Sequence, residues 1–477
     1  MYEYLIGLEI HVKLNSENKL FCQCKNQQEF DELEPNTNIC PVCTWQVWAL
    51  PVLNKEPLQK AMLLGYALNC EVNKESSFDR KSYFYPDLPM WYQITQFERP
   101  VNGEWYVYFY TNNYQEENKA RIERAHMEAD AGKTIHEWDN AKMDYNRSGT
   151  PLVEIVTYPD FASDEQVVEF LKELQRLVRF NNIWNADMEK GQLRVDVNIS
   201  VRKQGETQLG NKVELKNINS FGAIKRAINA EFERQKELLE EDNEIQQQTR
   251  WWNDELWESY LMRSKEDALD YRYFPEPDMP PVQVDDNFLE EVKSQKVESV
   301  FSRIKRYKEE YGFHKEFINA LIQTSDINNF FEKTVEAGID PKISAKWITW
   351  EVIRYLNDNN LEVSDLKFDV HQFIDFLKWI QSGEIIEAHA KQIIKEMINT
   401  WKSSWDIIEE KGLKPVDTSE IENIVKEVID ENPQAVEDYK NWQEKSIGFM
   451  IGQVMKKSQW KADPKQARSI MEQYLSD

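Results

Sequence analysis

The stretch "YLIGLEIHVKL", residues 4–14, alternates between apolar and polar side chains. In an extended strand every second side chain points to the same face, so the apolar residues between Ile6 and Val12 share one face, whereas Glu9 and His11 lie on the other. No basic segment followed by an apolar block precedes it, so this N-terminus is not typical of a signal peptide. The pattern predicts a strand that buries one face in a sheet and presents ionisable groups on the other.

Other segments of the first 290 residues combine strand and helix patterns. The alternating stretches 191–203 and 211–219 predict two neighbouring strands, each with polar residues along one face. Amphipathic periodicity predicts helices over residues 163–180 and 222–242, and Ser163 supplies an N-cap for the first of them. This mixture of strand and helix patterns indicates the α+β class.

The remaining sequence is helical and divides once more. The chain of 477 residues is too long for a single core. A proline-rich segment, residues 273–284, is expected to close the first domain, and a Gly- and Pro-containing linker begins at residue 409. We therefore predict a catalytic domain over residues 1–290, a helical domain over 291–408 and a small helical tail domain over 409–477.

The composition limits the class of protein. The formal net charge of −26 argues against nucleic-acid binding without excluding it, because basic residues can be segregated onto one face. No apolar run is long enough to span a membrane. Five cysteines in a chain of this length do not indicate a disulfide scaffold, and Cys70 follows an apolar run typical of a buried position. We expect a protein of the reducing cytoplasm, without a membrane segment.

Four cysteines form two close pairs. Cys22 and Cys24 are separated by one residue, and Cys40 and Cys43 stand fifteen residues further along in a Cys-Pro-x-Cys turn. Two pairs of thiolates match a tetrahedral zinc site, and a site filled by four sulfur atoms is structural rather than catalytic. The alternative is four unrelated reduced cysteines.

Ionisable residues recur within apolar strand patterns. A Glu and a His two residues apart, as at Glu9 and His11, can ligate a divalent ion, although an exposed Glu-x-His is commonplace. Carboxylates in apolar strands are costly unless they bind cations or substrate, and hard oxygen ligands suit magnesium. The alternative is that they occupy exposed faces of half-buried strands. The further residues of this kind are His126, Glu128, Asp130, Glu154, Asp196, Asn198, Glu214, Lys216 and Asn217.

The segment "DRKSYFYPDLP", residues 79–89, is dense in aromatic and charged groups. Arg80 and Lys81 are candidates for binding phosphate, and the tyrosines are candidates for stacking or for lining a wall. The alternative is a packed aromatic loop without a functional role.

These motifs occur together, in this order, in one family. The segments "IGLEIHV", "LFCQC", "EPNTNICPVC", "FDRKSYFYPDLP", "YQITQ", "HMEADAGK", "DYNRSGTPLVEIV", "RSKEDALDYRYFPEPDMPP" and "DYKNWQEKSIGFMIGQVMKKS" resemble the GatB family, the B subunits of the aspartyl/glutamyl-tRNA(Asn/Gln) amidotransferase. The resemblance covers essentially the whole chain. It implies a catalytic cradle domain, a helical domain and a YqeY-like tail, the helical parts holding tRNA by its shape.

The resemblance also implies an activity and partners. Members of this family work with an amidase, the A subunit, and with a small C subunit on Glu-tRNA(Gln) or Asp-tRNA(Asn). ATP phosphorylates the side-chain carboxylate of the attached amino acid, and ammonia that the amidase releases from glutamine displaces the phosphate. Such a reaction is an amide-forming ligation that needs Mg²⁺ and positioned cations.

The implied site residues follow from the matching motifs. Glu9 and His11 match the metal-binding pair of the family, with Asp196 as a further Mg²⁺ ligand, and the four cysteines match its zinc-binding loop. The residues implied in catalysis are Glu9, His11, Lys81, Tyr83, Glu128, Glu154 and Asp196. Those implied in binding ATP or substrate are Asp79, Arg80, Lys81, Asn198, Glu214 and Lys216.

One departure from the family pattern touches this site. The family has two consecutive glutamates where this chain has Glu128 followed by Ala129. If the second glutamate is a metal ligand, this chain lacks it. The alternative function is therefore a tRNA-binding scaffold whose kinase site is impaired.

Tryptophan stands where the family has glycine. The chain has 16 tryptophans and only 15 glycines, about 3% of the residues against about 7% in an average protein. Tryptophan is a poor substitute wherever glycine provides positive φ or close approach. One hypothesis is that the gene uses UGA codons for glycine and was translated with a code that reads UGA as tryptophan; the alternative is genuine tryptophans. The positions concerned are Trp45, Trp48, Trp91, Trp257, Trp401, Trp442 and Trp460.

Overall fold

A computed structural model describes residues 1–27, 33–137, 139–264, 270–413, 418–440, 445–458, 462 and 464–476. The chain divides into two compact units, Met1–Arg306 and Tyr307–Asp477. The first unit mixes strands and helices and the second is helical among its described residues, so the predicted α+β class is confirmed. The finer division at residues 290 and 408 stays a prediction.

The first unit is built mainly from strands. Its elements in chain order are β1 (Tyr2–Lys13), α1 (Lys55–Ala67), β2 (Glu75–Ser76), β3 (Asp79–Ser82), β4 (Tyr92–Thr95), β5 (Trp105–Thr111), β6 (Glu116–Ala129), β7 (Lys133–Glu137), β8 (Asn140–Asp144), β9 (Pro151–Thr157), α2 (Asp164–Phe180), β10 (Leu193–Lys203), β11 (Val213–Ile218), α3 (Phe221–Glu240), β12 (Gln248–Asn253), β13 (Glu258–Ser264), β14 (Phe274–Pro275), β15 (Val282–Gln283) and α4 (Asp286–Lys293). Helix α5 (Val300–Glu309) begins in the first unit and ends in the second.

The central feature is an eight-stranded sheet in the order β13-β12-β11-β10-β1-β9-β6-β5. Only the β11–β12 pair is parallel among the neighbours in this sheet. The predicted strand over residues 4–14 is β1, which lies between β10 and β9. Three small sheets accompany it, β14-β3-β4, β15-β2 and β7-β8.

One face of this sheet forms the core. Ile6, Leu8, Ile10 and Val12 on β1 are at most 1% exposed, and helices α2 and α3 pack on the strands of the same sheet. Helix α2 begins at its predicted N-cap, where Ser163 Oγ accepts the Gln166 N–H. Because β-strand side chains alternate, burying these apolar residues leaves the polar residues of β1 on the opposite face.

The second unit consists of short helices. They are α6 (Lys315–Leu321), α7 (Ser325–Glu336), α8 (Pro341–Trp347), α9 (Arg354–Asn359), α10 (Val370–Gln381), α11 (Glu387–Asn399), α12 (Ser404–Lys411), α13 (Thr418–Glu431), α14 (Pro433–Lys440), α15 (Lys445–Lys457) and α16 (Pro464–Ser476). A π-helical segment over Ile348–Ile353 joins α8 to α9. The last helices share a small core around Val425, Met450 and Met471. Among the described residues, we find no helix with the length and apolar character needed to cross a membrane.

Four of the unusual tryptophans have left-handed backbone. Their φ values are +50° at Trp45, +71° at Trp48, +64° at Trp91 and +56° at Trp257. A bulky residue at positive φ is a genuine outlier, because its Cβ crowds the following carbonyl oxygen. Trp401 does not share this conformation, and Trp442 and Trp460 lie outside the described residues.

Candidate active site on the polar face of the sheet

The face of the central sheet opposite the core is lined by ionisable side chains. The antiparallel register places Glu9 opposite Asp196 on β10 and His11 opposite Glu154 on β9. Glu154 in turn lies opposite His126 on β6. Residues far apart in sequence are thus neighbours because strand pairing aligns their polar positions.

The first cluster combines two histidines with two buried carboxylates. His11 Nε2 lies 3.4 Å from Glu154 Oε2 and 3.7 Å from Glu128 Oε2. His126 Nε2 lies 3.5 Å from Glu128 Oε1 and 3.7 Å from Glu154 Oε2. Ligand atoms of His11, Glu128 and Glu154 all lie within 4.8 Å of one another, a spacing that suits one divalent cation.

Lys81 provides the cationic side of this cluster. Its Nζ lies 3.8 Å from Glu128 Oε1 and 5.1 Å from the ring centroid of Tyr271. Burial opposes the charged form, but the charges of Glu128 and Glu154 outweigh it and raise the pKa of Lys81. Burial likewise opposes ionisation of Glu154, yet His126, His11 and Lys81 hold its pKa well below the ordinary value. Lys81 is therefore positively charged and Glu154 negatively charged at neutral pH.

Two polar side chains of β4 hold the Glu128 carboxylate. Gln93 Nε2 donates to Glu128 Oε2 at 3.1 Å and to the Ala129 carbonyl at 3.0 Å, and Thr95 Oγ1 donates to Glu128 Oε1 at 2.9 Å. The Tyr83 hydroxyl reaches the cluster only through Gln93 Oε1, at 3.4 Å. Sequence reasoning did not single out Gln93 and Thr95, because neither type is distinctive and both belong to a different, three-stranded sheet.

A second cluster of carboxylates lies beside the first. Ligand oxygens of Glu9, Asp196 and Glu214 lie within 4.8 Å of one another. Lys216 Nζ donates to Asp196 and lies 3.0 Å from Glu214 Oε1. Burial, followed by the charges of Glu154 and Glu214, raises the pKa of Glu9. A bound cation would relieve this repulsion, so this oxygen-rich cluster also fits Mg²⁺.

Asn198 links this cluster to an adjacent cavity. Its Nδ2 donates to Glu9 Oε1 at 3.1 Å, while its buried Oδ1 has no hydrogen-bond partner within the described part of the chain. A cavity of about 410 Å³ lies beside Glu9 and is lined by Gly7, Thr157 and Asn198 among others. Its volume is in the range of small-molecule sites.

Asp79 and Arg80, which the resemblance implies in binding ATP or substrate, contact other groups of the protein in this structure. Asp79 is 1% exposed, and its Oδ2 accepts the N–H groups of Phe97 and Glu98 at 2.8 and 3.3 Å. Arg80 makes a bidentate pair with Glu276, with both contacts at 2.7 Å. Because strand side chains alternate, Arg80 and Lys81 point to opposite faces, and Lys81 is the cation of this segment that faces the clusters. Asp79 and Arg80 stabilise the segment.

Arg194 extends the polar face and was not predicted. Its Nη2 lies 3.0 Å from Asp130 Oδ2, and Arg147 Nε lies 3.4 Å from the same oxygen. Although burial opposes ionisation of Asp130, Arg147 and Arg194 lower its pKa. The signal was present in the sequence, because Arg194 alternates with Asp196 on the same strand.

Ala129 does not line either cluster. It is 7% exposed and belongs to the hydrophobic core. Strand alternation on β6 places Glu128 on the polar face and the side chain of its neighbour on the other. The cluster of His11, Glu128 and Glu154 is therefore assembled without a contribution from position 129.

The four predicted cysteines come together. The Sγ atoms of Cys22, Cys24, Cys40 and Cys43 lie within 4.8 Å of one another. A hydrogen bond from Cys22 lowers the pKa of Cys43 to about 5, and Lys19 contributes in the same direction. Four convergent sulfur atoms with an accessible thiolate form fit a structural Zn²⁺ site.

The cysteine loop is docked on the segment that precedes β9. Asn38 N–H donates to Asn146 Oδ1 at 2.7 Å, and Ser148 Oγ donates to the Cys43 carbonyl at 2.8 Å. The same segment carries Arg147, which donates to the Gly132 carbonyl at 2.6 Å. The cysteine cluster thus braces the loop between β8 and β9 next to the polar face.

Two family models match the chain. The family model for the GatB/GatE catalytic domain matches residues 4–290. A second model, that of the GatB domain named GatB_Yqey, matches residues 329–475.

Curated relatives match over their full length. A protein of Persephonella marina is 43% identical over 476 residues, covering 99% of both chains. One of Elusimicrobium minutum is 44% identical over 477 residues, again covering 99% of both. One of Thermoanaerobacter pseudethanolicus is 42% identical, covering 100% of this chain and 99% of the relative. Each is named as the B subunit of an aspartyl/glutamyl-tRNA(Asn/Gln) amidotransferase. The chain described here belongs to the GatB/GatE family.

Proposed function

We propose that this chain is the B subunit of a tRNA-dependent amidotransferase, a ligase that forms carbon–nitrogen bonds with glutamine as the amide donor. Its substrates are Glu-tRNA(Gln), Asp-tRNA(Asn) or both, together with ATP. The observation that carries the proposal is the polar sheet face, where two oxygen-rich clusters flank two lysines in a chain that matches named B subunits over its full length.

The reaction has two balanced steps. A side-chain carboxylate oxygen attacks the γ-phosphorus of ATP, and ADP leaves as the acyl phosphate forms. Ammonia nitrogen then attacks the acyl carbon, phosphate leaves, and the nitrogen loses a proton to give the amide. Phosphoryl transfer of this kind depends on positioning and charge stabilisation more than on covalent catalysis.

The residues of the two clusters have distinct tasks in this proposal. Lys81 and Lys216 are fixed cations that offset charge on phosphoryl oxygens. The carboxylates of Glu9, Asp196 and Glu214 would hold one Mg²⁺, and those of Glu128 and Glu154 with His11 would hold another. Bound Mg²⁺ supplies charge neutralisation for the phosphates. The cavity beside Glu9 offers space for part of the nucleotide.

The proposal includes partners, an ion and a location. Ammonia must come from glutamine, so we assign an amidase (the A subunit) and a small C subunit as partners in a heterotrimer. The cysteine cluster would hold structural Zn²⁺, and the free cysteines suit the reducing cytoplasm. The scaffold alternative is not favoured, because position 129 lies in the core rather than in a cluster.

An amidation assay tests this function. The heterotrimer, reconstituted with the amidase and the small C subunit, is incubated with Glu-tRNA(Gln), ATP and glutamine, and the amino acid is released from the tRNA and identified. We expect glutamine on the tRNA, formed only when ATP is present. Tight tRNA binding without ATP consumption would support a scaffold instead.

A further inference from the structure

Lys19 is a fully buried cation beside the cysteine cluster. Its side chain is 0% exposed. The ammonium Nζ donates to the Asn38 carbonyl at 2.9 Å and lies 3.7 Å from Cys43 Sγ. Within the described part of the chain, no carboxylate lies within ion-pairing distance of it. Among the described residues, Cys43 Sγ is the group beside this ammonium that can carry a negative charge.

Burying an ammonium group is costly unless a negative charge compensates for it. Lysine is almost never fully buried without a partner, because removing an unpaired charge from water into a protein interior is strongly unfavourable. Four thiolates around one Zn²⁺ carry a net charge of −2, because four negative charges meet two positive ones. Loaded with metal, the cluster formed by Cys22, Cys24, Cys40 and Cys43 would provide that charge next to Lys19.

We propose that Lys19 is the built-in counter-cation of the cysteine cluster, a positioning residue that stabilises the zinc-loaded state by donating to Cys43. The inference rests on the proposed zinc occupancy and goes beyond it, since it assigns a role to a residue that is not a metal ligand. Groups that orient metal ligands from outside the coordination shell typically change metal affinity about 10- to 100-fold.

The same lysine connects the cluster to the candidate active site. Its Nζ holds the Asn38 carbonyl, and the Asn38 N–H donates to Asn146 Oδ1 at 2.7 Å. The next residue, Leu20, donates its N–H to the Gly149 carbonyl at 2.8 Å. Loading the cluster would therefore fix the loop that carries Arg147, with Lys19 as the link between the metal charge and that loop.

The test compares Lys19→Met with the control Lys25→Met, in which an exposed lysine of the same loop is replaced. Methionine has a similar volume and removes the charge together with the hydrogen bonds that Nζ donates. Zinc affinity of the full-length chain is measured by competition with a chromogenic chelator. We expect Lys19→Met to weaken zinc binding about 10- to 100-fold, and Lys25→Met to leave it within about twofold of the wild type.

Thermal stability with and without zinc separates the proposed role from simple packing. In the zinc-loaded form, Lys19→Met should lower the melting temperature. In the chelated form the decrease should be smaller, because the cluster then carries less negative charge to compensate for the buried ammonium group. An equal loss of stability in both forms, with unchanged zinc affinity, would overturn the proposal and indicate a structural lysine.

A measurement on the wild type covers the case in which Lys19→Met does not fold. Reductive methylation of lysines, followed by peptide mass spectrometry, should show Lys19 protected relative to Lys25 in the zinc-loaded chain and methylated after chelation. Equal methylation of both lysines with zinc bound would contradict the proposal. A wild-type chain that binds no zinc would also overturn it, while the amidation assay would still test the proposed function separately.

Discussion

Replacing the left-handed tryptophans with glycine should stabilise the protein. Trp48, Trp91 and Trp257 have φ values of +71°, +64° and +56°, and they are 93%, 66% and 64% exposed. Their indole rings therefore contribute little burial that could offset the backbone strain. Trp45 is less suitable for the test because its side chain is partly buried against the hydrophobic core.

The expected gain follows from two opposing contributions. Left-handed backbone costs an L-residue roughly 1–2 kcal/mol, whereas glycine increases the freedom of the unfolded chain by about 0.4–1 kcal/mol. The net gain is about 0.5–1 kcal/mol at each site, or about 1.5–3 kcal/mol for the triple variant. Native proteins are stable by only about 5–15 kcal/mol, so the change is readily measured.

Urea unfolding of three proteins measures this gain in stability. The triple Trp→Gly variant at positions 48, 91 and 257 is compared with the wild type and with the matched triple Trp→Ala variant. Alanine removes the indole but retains the Cβ that causes the strain, so only glycine should raise the unfolding midpoint substantially. If the alanine and glycine variants are equally stable, the strain argument fails. Peptide mass spectrometry of the native protein tests the coding hypothesis directly, since tryptophan at positions 45, 48 and 442 would refute it.

Further predictions concern the polar face and one buried acid. Lys81→Met should lower the phosphorylation rate about a hundredfold with tRNA affinity retained, as filter binding would check; wild-type turnover would contradict its role. Gln93→Leu, which releases Glu128, should weaken Mg²⁺ binding about tenfold in a titration of activity against Mg²⁺. Ala129→Glu should give no gain in amidation, because position 129 lies in the core; a tenfold gain would contradict this placement. Burial raises the pKa of Glu173 from 4.5 to about 7, so the folded state binds the proton more tightly than the unfolded state does. The free energy of unfolding should therefore fall by roughly 3 kcal/mol as the pH rises from 4.5 to 7. Glu173→Gln should abolish this decline in urea titrations.

The polar face of the sheet is the part of the candidate site that the sequence predicts most completely. Alternation along β1 and β10 predicts which residues share a face, and Glu9, His11, Asp196 and Asn198 lie there as expected. Cysteine spacing similarly predicts the cluster that the structure assembles. Both signals are local, because a strand and a paired motif determine relative side-chain directions within a few residues.

Contacts between segments that are distant along the chain could not be predicted from local sequence patterns. The partner of Arg80 is Glu276, which lies 196 residues away along the chain, so its charge alone suggested a phosphate ligand. Gln93 and Thr95 approach Glu128 because a separate small sheet packs near β6. Position 129, by contrast, could be assigned from the sequence, because strand alternation already places its side chain on the face opposite to that of Glu128.

The account depends most directly on phosphoryl transfer at this polar face. The decisive measurement is single-turnover formation of ADP by the reconstituted complex with γ-labelled ATP and Glu-tRNA(Gln), without glutamine, comparing the wild type with Glu154→Gln. We predict that ADP forms only when Glu-tRNA(Gln) is present, and that Glu154→Gln lowers the rate about a hundredfold while tRNA binding is retained. Phosphorylation at the wild-type rate in Glu154→Gln would contradict the assignment of this face as the active site.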